Sequence, residues 1–500
     1  MKIQNSHSGL YAAFCAKDPR FDGRFFVGVS STKIYCRPVC RAKMPKEENC
    51  TFFASASEAE LAGYRPCLIC RPELAPGMSI TDASTSLAKR AARMIEENCG
   101  SGESLEQLAA RLGCTDRHLR RVFEEEFHVS PVQYLQTCRL LMAKNLLTDT
   151  NLQVIDVAMA SGFGSLRRFN DVFMGKYHLT PTQLRKRMSK AKRKDTEIKV
   201  SLGYRPPYRW EEMLHFLQER AIPGVEVIEG GSYYRTVHML QAKKAPVTGW
   251  IGVSHGESKH VLQVTFSESL LPSLPQVLGR VRNMFDLYCD PDTIYESLSA
   301  MNCIHPNLCV KGMRVPGCFD PFEMSVRAIL GQQITVKAAG TLAGRIASKY
   351  GDPVQMPIAG LTKTFPTPER LANLPGKMED CLGTLGVIAT RARAIEALAR
   401  LVLEKKIEFD KCHDSEEEMQ KLLEIKGIGQ WTASYIAMRA MAWPDAFLET
   451  DVGIRCALPG RSPEELRNMA EHWRPWRSYA TINLWNSLSD QQKEKREKDQ

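Results

Sequence analysis

Residues 101–187 repeat themselves with a period of fifty, and no other feature restricts the fold of this 500-residue chain as tightly. Leu105, Thr115, Leu119, Phe123, Ser130, Pro131 and Gln133 recur as Ile155, Ser165, Phe169, Phe173, Thr180, Pro181 and Gln183. A repeated unit that cannot bury its apolar face alone packs against its copy, so two similar helical modules are predicted. In the first, Ser104-Leu-Glu-Gln107 is a capping-box pattern that starts a helix, with Leu105, Leu108, Ala109 and Leu112 on one face. Gly113 breaks that helix and Thr115 caps the next, which turns Leu119, Val122 and Phe123 inward and Arg117, Arg120 and Arg121 outward. In the second, Ala158 and Gly162 flank the turn, Ser165 is the cap, and Arg167 and Arg168 face outward. A short helix, a tight turn and a helix with exposed arginines describe a helix-turn-helix, which binds DNA. A helical bundle with arginines on its wet face is the alternative reading.

Charge supports the first alternative. Residues 1–200 hold 31 Lys and Arg against 21 Asp and Glu, whereas the rest of the chain holds 36 of each. All of the net charge of +10 therefore lies in the first two fifths, as for a segment that recognises a polyanion. The paired modules, with Gly162-Phe163 and the Thr180-Pro181 ending, resemble the AraC-type DNA-binding domain.

Ahead of the repeat, Cys36-x-x-x-Cys40 is followed after 26 residues by Cys67-x-x-Cys70. Two close pairs far apart in sequence suit a tetrahedral zinc site, each pair supplying one edge. Four buried thiols acting as small hydrophobes are the competing reading. The chain holds 16 cysteines and starts with a polar stretch, Met1–Gly9, that lacks the apolar core of a signal peptide. Thiols or metal ligands in the cytoplasm are expected, not disulfides. No apolar run is long enough to span a bilayer, so no membrane partner is expected.

Arg37, Arg41, Lys43, Arg65 and Arg71 crowd these cysteines. Four thiolates on one Zn²⁺ carry a formal charge of about −2, and such sulfurs are nucleophiles unless shielded. The segment Thr32-Lys-Ile-Tyr-Cys36-Arg-Pro-Val-Cys40-Arg-Ala-Lys43, followed by Tyr64-Arg-Pro-Cys67-x-x-Cys70, resembles the Ada-type methylphosphotriester repair domain. The resemblance implies that Cys36 takes a methyl group from an alkylated DNA phosphate and ligates zinc together with Cys40, Cys67 and Cys70. It also implies DNA contacts from Thr32, Arg41, Lys43 and Arg65, with Lys43 standing where an arginine is usual, which removes a bidentate phosphate contact. Methylation turns a thiolate into a thioether, removes about one negative charge and weakens repulsion from DNA. In the family this makes the protein a transcriptional activator, which implies operator DNA and RNA polymerase as partners. No Pro-Cys-His-Arg motif occurs, so the guanine O-methyl transferase half of Ada proteins is absent.

In the second half, Leu422-Leu-Glu-Ile-Lys-Gly427-Ile428-Gly429-Gln-Trp431-Thr432-Ala433 reads as a helix-hairpin-helix, with the second helix starting near Thr432. Gly427 and Gly429 let backbone N–H groups approach a phosphate, and the helix amino terminus favours negative charge. Hairpin carbonyls can also hold a monovalent cation against that phosphate. About twenty residues on stands Asp451, within Phe447-Leu-Glu-Thr-Asp451-Val-Gly-Ile-Arg455. That pairing resembles the helix-hairpin-helix DNA glycosylase superfamily, in which such an aspartate lies beside the flipped nucleotide. A carboxylate about 3–4 Å from the sugar stabilises an oxocarbenium-like transition state. The spacing is equally that of an aspartate capping a helix. Relatives that also cut the backbone carry a lysine where this chain has Trp431, and only Cys456 follows Asp451 where some relatives place four cluster-binding cysteines. A monofunctional, cluster-free enzyme is expected.

Alkylated purines are cationic and already good leaving groups, and electron-rich rings attract them. Trp431, Tyr435 and Trp485 are the candidate pocket, whereas Trp473 and Trp476 are assigned to the core. Tyr204-Arg-Pro-Pro-Tyr-Arg-Trp210, Val315-Pro-Gly-Cys-Phe-Asp-Pro-Phe322, Arg327-Ala-Ile-Leu-Gly-Gln332 and Trp473 through Tyr479 complete a resemblance of residues 201–488 to the AlkA-type 3-methyladenine DNA glycosylase II family. One departure is Gln333, where a well-known member has a leucine that wedges into the duplex; glutamine fills the gap but wedges less well.

The expected fold is multidomain α+β and mostly helical. It comprises a small zinc-bound α/β domain (1–78), a tandem helix-turn-helix domain (84–188) and a basic linker (189–200). A small antiparallel sheet domain (201–283), a helical helix-hairpin-helix glycosylase domain (284–489) and a disordered tail (490–500) follow. The expected activity is a DNA-3-methyladenine glycosylase II joined to a single-turnover methylphosphotriester-DNA methyltransferase, cytoplasmic and nucleoid-associated. A DNA-binding regulator with an inactive glycosylase half is the alternative, and a purely structural zinc site is a third reading.

Overall fold

A computed structural model describes residues 7–77, 87–100, 103–188, 198–241, 244–409 and 415–498. The first elements are α1 (His7–Ala16), β1 (Phe26–Val29), β2 (Ile34–Cys36), β3 (Cys50–Phe53), α2 (Ala56–Leu61) and β4 (Arg65–Pro66), with the strands in the order β3-β1-β2-β4. Gly28 in β1 has no room for a side chain, since a Cβ would lie 2.6 Å from the Phe53 ring and 2.9 Å from Tyr64. The parallel pairing of Tyr35 with Pro66 sets Cys36, at the end of β2, beside Cys67 just after β4. The two cysteine pairs meet because the sheet brings two strand ends together.

Among the described residues seven helices follow: α3 (Leu87–Asn98), α4 (Leu105–Arg111), α5 (Asp116–Phe127), α6 (Pro131–Asp149), α7 (Val154–Ala160), α8 (Leu166–Tyr177) and α9 (Pro181–Met188). The fifty-residue repeat is the repeat of their caps. Gly113 (φ +68°) and Gly162 (φ +84°) make the tight turns α4–α5 and α7–α8. Thr115 and Ser165 then accept the N–H groups of His118 and Arg168. Ser130 with Gln133, and Thr180 with Gln183, form reciprocal pairs that start α6 and α9. The first capping box, Ser104 with Gln107, is present as expected.

The zinc-domain fold and both helix-turn-helix modules belong to one compact unit. At its centre Glu60 is 2% exposed, and its carboxylate accepts hydrogen bonds from Tyr35 (3.1 Å), Thr137 (3.0 Å) and Tyr177 (3.3 Å). The Lys176 ammonium donates to its carbonyl. A second knot joins Arg71 to Glu73 (2.9 Å) and Asp149 (2.7 Å), with Lys144 paired to Glu73. Arg71 and the Asp22-bound Arg37 are therefore structural cations, not part of a DNA-facing charge.

Burial pushes the Glu60 carboxyl up to about 7, against the three hydroxyls and Lys176, which pull it down. The folded value lies above the unfolded one, so this group supports folding fully below about pH 4.5 and loses that support as pH rises through 7. The full effect is of order 3 kcal/mol. Glu60→Gln is expected to flatten this component. Urea unfolding should show wild type weakening from pH 5 to pH 8 by more than the variant, and identical pH slopes would refute the assignment.

The next elements are β5 (Ile198–Gly203), α10 (Trp210–Glu219), β6 (Glu226–Glu229), β7 (Ser232–Gln241), β8 (Lys244–Gly256), β9 (Val261–Phe266) and α11 (Leu274–Met284). The five-stranded sheet has the order β5-β9-β8-β7-β6. Its first strand starts at Ile198, so the end of the expected linker is strand, while 189–197 lie outside the described residues. β5, β8 and β9 belong to the first unit. Within it, Asn145 donates to the Ser201 carbonyl (3.1 Å) and Asp149 accepts the Ser201 N–H (3.0 Å). The helix-turn-helix pair, predicted as separate from the sheet, thus shares a unit with these three strands.

The second unit holds 207–237, 283–286 and 290–500. Its further helices are α12 (Pro291–Leu298), α13 (Pro321–Leu330), α14 (Val336–Tyr350), α15 (Pro368–Ala372), α16 (Met378–Gly383), α17 (Ala389–Leu403), α18 (Ser415–Leu423), α19 (Gln430–Arg439), α20 (Val452–Ala457), α21 (Pro463–Ala470) and α22 (Arg477–Lys498). The last corrects the expected disordered tail, since 490–498 are helical. Gln, Lys, Glu and Arg are good helix formers, and the run continues a helix already anchored by buried Tyr479 and Leu484. Among the described residues no helix is long and apolar enough to cross a membrane.

Candidate active sites

The four sulfurs of Cys36, Cys40, Cys67 and Cys70 lie within 4.8 Å of one another. Zinc–thiolate bonds of about 2.3 Å in a tetrahedron need sulfurs about 3.8 Å apart, so this donor set fits one Zn²⁺. Exposure does not single out a nucleophile, because Cys36 is only 6% exposed. Backbone hydrogen bonding differs among the four. Cys70 accepts the Arg37 N–H (3.3 Å), Cys67 that of Ile69 (3.4 Å) and Cys40 that of Ala42. Among the described hydrogen bonds no backbone N–H reaches the Cys36 sulfur. Thr32, Arg41 and Lys43 are exposed beside the site and Arg65 is half-buried in β4.

On the helix-turn-helix pair, Arg117, Arg121, Arg167 and Arg168 are exposed and Arg120 is half-buried. Arg120 is paired to Asp116 and Arg121 to Glu125, both at 3.0 Å. A phosphate contact by either would have to displace its carboxylate partner.

In the second unit, a cleft of about 1430 Å³ opens between α10, the turn after α13, and the segment from the α18–α19 hairpin through α20. The hairpin helix starts at Gln430, two residues earlier than expected, with Gly429 at its N-cap and no side chain bonded there. Both glycines are exposed. They are glycine for different reasons. Gly427 has φ +102°, a conformation that side chains resist. Gly429 has φ −96° and a Cβ would meet nothing within 4 Å, so nothing within the described residues requires a glycine there. Gly429→Ala is expected to leave stability within about 0.5 kcal/mol of wild type yet weaken duplex binding roughly tenfold. Titration by fluorescence anisotropy checks this, and unchanged affinity would remove the hairpin from DNA contact.

Asp451 lines the cleft. Its Oδ1 accepts the Ile454 N–H (3.0 Å) and the Trp485 indole N–H (2.8 Å), and its Oδ2 accepts the Trp431 indole N–H (2.9 Å). Asp451 caps α20 and also faces the cavity. Three donors from three segments fix the anion without neutralising it. Trp431 and Tyr435 stack at 5.1 Å with 9° between planes, and Trp485 lies 6.3 Å from Tyr435. Trp473 and Trp476 are 4% and 3% exposed, as expected of core residues.

Sequence analysis missed Phe216 of α10, which stacks near Trp485 at 6.2 Å, and Arg220 and Arg439, whose guanidiniums sit 3.7 and 4.9 Å from its ring centroid. Arg439 also donates to the Tyr435 hydroxyl (2.9 Å). Burial pushes that phenol up, but Arg439, Arg220 and Arg327 outweigh it and hold it below the usual tyrosine range. Arg439 stands four residues after Tyr435, a spacing visible in the sequence; nothing local could have linked Phe216 to Trp485. Gln333, the candidate wedge, is exposed at the cleft rim with φ +52°.

Four family profiles match in order: "Metal binding domain of Ada" over residues 9–73, "Helix-turn-helix domain" over 108–187, "AlkA N-terminal domain" over 199–320, and "HhH-GPD superfamily base excision DNA repair protein" over 326–471. The chain is 35% identical over 491 residues to a probable bifunctional transcriptional activator/DNA repair enzyme AlkA of Mycobacterium tuberculosis, covering 96% of each. It is 35% identical over 285 residues to DNA-3-methyladenine glycosylase 2 of Escherichia coli, covering 57% of this chain and 96% of that protein. It is 37% identical over 124 residues to the bifunctional transcriptional activator/DNA repair enzyme Ada of Escherichia coli, covering 25% of this chain and 34% of that one.

Proposed function

Because the chain belongs to the family of bifunctional transcriptional activator/DNA repair proteins of the AlkA kind, we propose that it repairs alkylated DNA by two separate chemistries. The second unit is a monofunctional N-glycosylase that releases bases of the 3-methyladenine and 7-methylguanine class. The observation that carries this reading is the Asp451 carboxylate, oriented by two indole N–H groups inside an aromatic cleft beside an exposed glycine hairpin. As the glycosidic bond lengthens, positive charge grows on the sugar, and a fixed anion stabilises it without reorganising. The rings of Trp431, Tyr435 and Trp485 hold the extruded base, and the backbone of Gly427 and Gly429 grips the neighbouring phosphate, with a monovalent cation on the hairpin carbonyls. Trp431 stands where a Schiff-base lysine would be needed, so strand cleavage is not part of the reaction. Gln333 fills the space left in the duplex.

The first domain accepts a methyl group from a DNA methylphosphotriester on Cys36, with Thr32, Arg41, Lys43 and Arg65 on the backbone. Cys36, Cys40, Cys67 and Cys70 would hold one Zn²⁺, which would keep their sulfurs deprotonated. The helix-turn-helix pair reads operator DNA through Arg117, Arg120, Arg121, Arg167 and Arg168, and the methylated protein recruits RNA polymerase, in the cytoplasm at the nucleoid. Chromatography of reactions with methylated duplex tests the glycosylase. Free alkylpurine should appear, with strand breaks only after added alkali. Strand breaks without alkali, or no free base, would refute it.

A further inference from the structure

Gln332 precedes the candidate wedge and is bonded not to its own loop but to the hairpin. Its amide nitrogen donates to the Gly427 carbonyl at 2.8 Å and to the Thr432 hydroxyl at 2.9 Å, using both of its N–H groups. The main-chain carbonyl of Gln332 accepts from the Arg391 guanidinium. The loop is short and bounded on both sides. Gly331 closes α13, and Thr335 caps α14 by accepting the Ala338 N–H. Between them Gln333 is held at φ +52°, a backbone state that a non-glycine residue keeps only when its surroundings enforce it.

Thr432, 2% exposed, lies in the first turn of α19, next to Trp431, whose indole N–H reaches Asp451. One amide group thus connects the rim residue Gln333, the phosphate-gripping hairpin and the helix that orients the carboxylate. Extrusion needs two simultaneous contacts on one nucleotide: a grip on the backbone beside it and a filler in the space it leaves. Their separation must be fixed, because a loose filler leaves the stack free to close again.

We propose that Gln332 is a positioning residue that locks the wedge loop to the hairpin, so that gripping the phosphate and filling the duplex occur as one event. This rests on the glycosylase reading and on Gln333 as the filler. Gln332 touches neither the base nor the sugar, and acts through Gly427 and Thr432.

The test uses the full-length protein and a duplex carrying one alkylated base next to 2-aminopurine, whose fluorescence rises when its neighbour leaves the stack. Gln332→Ala is expected to bind the duplex within about threefold of wild type, since the hairpin backbone is intact. Its fluorescence rise and its single-turnover rate of base release should both fall about tenfold or more. Gln332→Glu keeps the length but at neutral pH presents only acceptors to the Gly427 carbonyl. It should show the same loss at pH 8 and recover part of the signal near pH 5, where a protonated carboxyl can donate. Thermal unfolding that matches wild type shows that both variants fold. Fluorescence and rate within twofold of wild type, or a loss of duplex affinity as large as the loss of rate, would overturn the proposal. A wild-type protein that extrudes the base but releases none would sink the glycosylase reading while leaving this tether measurable.

Discussion

Asp451→Asn is expected to slow release of 3-methyladenine from duplex DNA by about a thousandfold, while leaving duplex affinity within about threefold of wild type. Two effects add. Losing the fixed anion removes the interaction that grows as the sugar becomes cationic, worth about 3–4 kcal/mol in comparable preorganised sites. The neutral amide also disrupts the donor set around it. Oδ1 takes two N–H groups, from Ile454 and Trp485, and Oδ2 takes one, from Trp431. An asparagine keeps its oxygen on the Oδ1 side and turns an NH₂ toward the Trp431 indole N–H, two donors facing each other. Binding survives because the hairpin glycines and the exposed cations do not involve this side chain. Single-turnover kinetics with saturating protein separate the two quantities, and a rate within tenfold of wild type would remove Asp451 from the chemistry.

Cys36→Ser is expected to abolish methyl transfer to the protein altogether, with zinc retained at close to one ion per chain. In the transfer the Cys36 sulfur attacks the methyl carbon, the carbon–oxygen bond breaks with its pair going to oxygen, and a thioether and a phosphodiester anion remain. A hydroxyl at position 36 lacks the polarisable anion that attacks. The other three thiolates keep their N–H partners and hold the metal. Replacing Cys40, Cys67 or Cys70 removes a ligand already shielded by hydrogen bonding, so zinc is lost first and transfer fails as a consequence. Zinc content measured alongside mass spectrometry of the intact protein distinguishes the two classes. A methyl group on any cysteine in the Cys36→Ser protein would refute the assignment of Cys36. In wild type, the methylated site carries about one negative charge fewer, so operator binding should tighten, most visibly at low salt.

What the sequence made legible was whatever depends on near neighbours. The caps Thr115, Ser130, Ser165 and Thr180 act within three residues of themselves, so their recurrence was read correctly as two modules. The cysteine pairs and the Gly427–Gly429 hairpin are equally local. Asp451 is marked in the sequence by its distance from the hairpin, and Trp431 and Trp485 as candidate pocket rings, but the indole bonds to its carboxylate are not legible, because both rings meet it only through the packing of α19, α20 and α22. Phe216 and Gln332 were missed for the same reason, as each works on residues far along the chain. Glu60 carried no signal either, being one glutamate in a short helix whose partners Tyr35, Thr137 and Tyr177 come from three other elements. Domain boundaries followed composition, and composition placed a break where Asn145 and Asp149 instead bond strand β5. The tail was read as disordered because it is charged, though charge of that kind also favours helix.

The central expectation is that one chain carries two separable repair chemistries. The direct measurement is to treat methylated duplex DNA with a limiting amount of zinc-loaded protein and count both products in the same reaction. Free alkylpurine should keep accumulating far beyond the amount of protein, whereas methyl groups on the protein should stop at one per chain, on Cys36. Accumulation of neither product, or base release that also stops at one per chain, would contradict it.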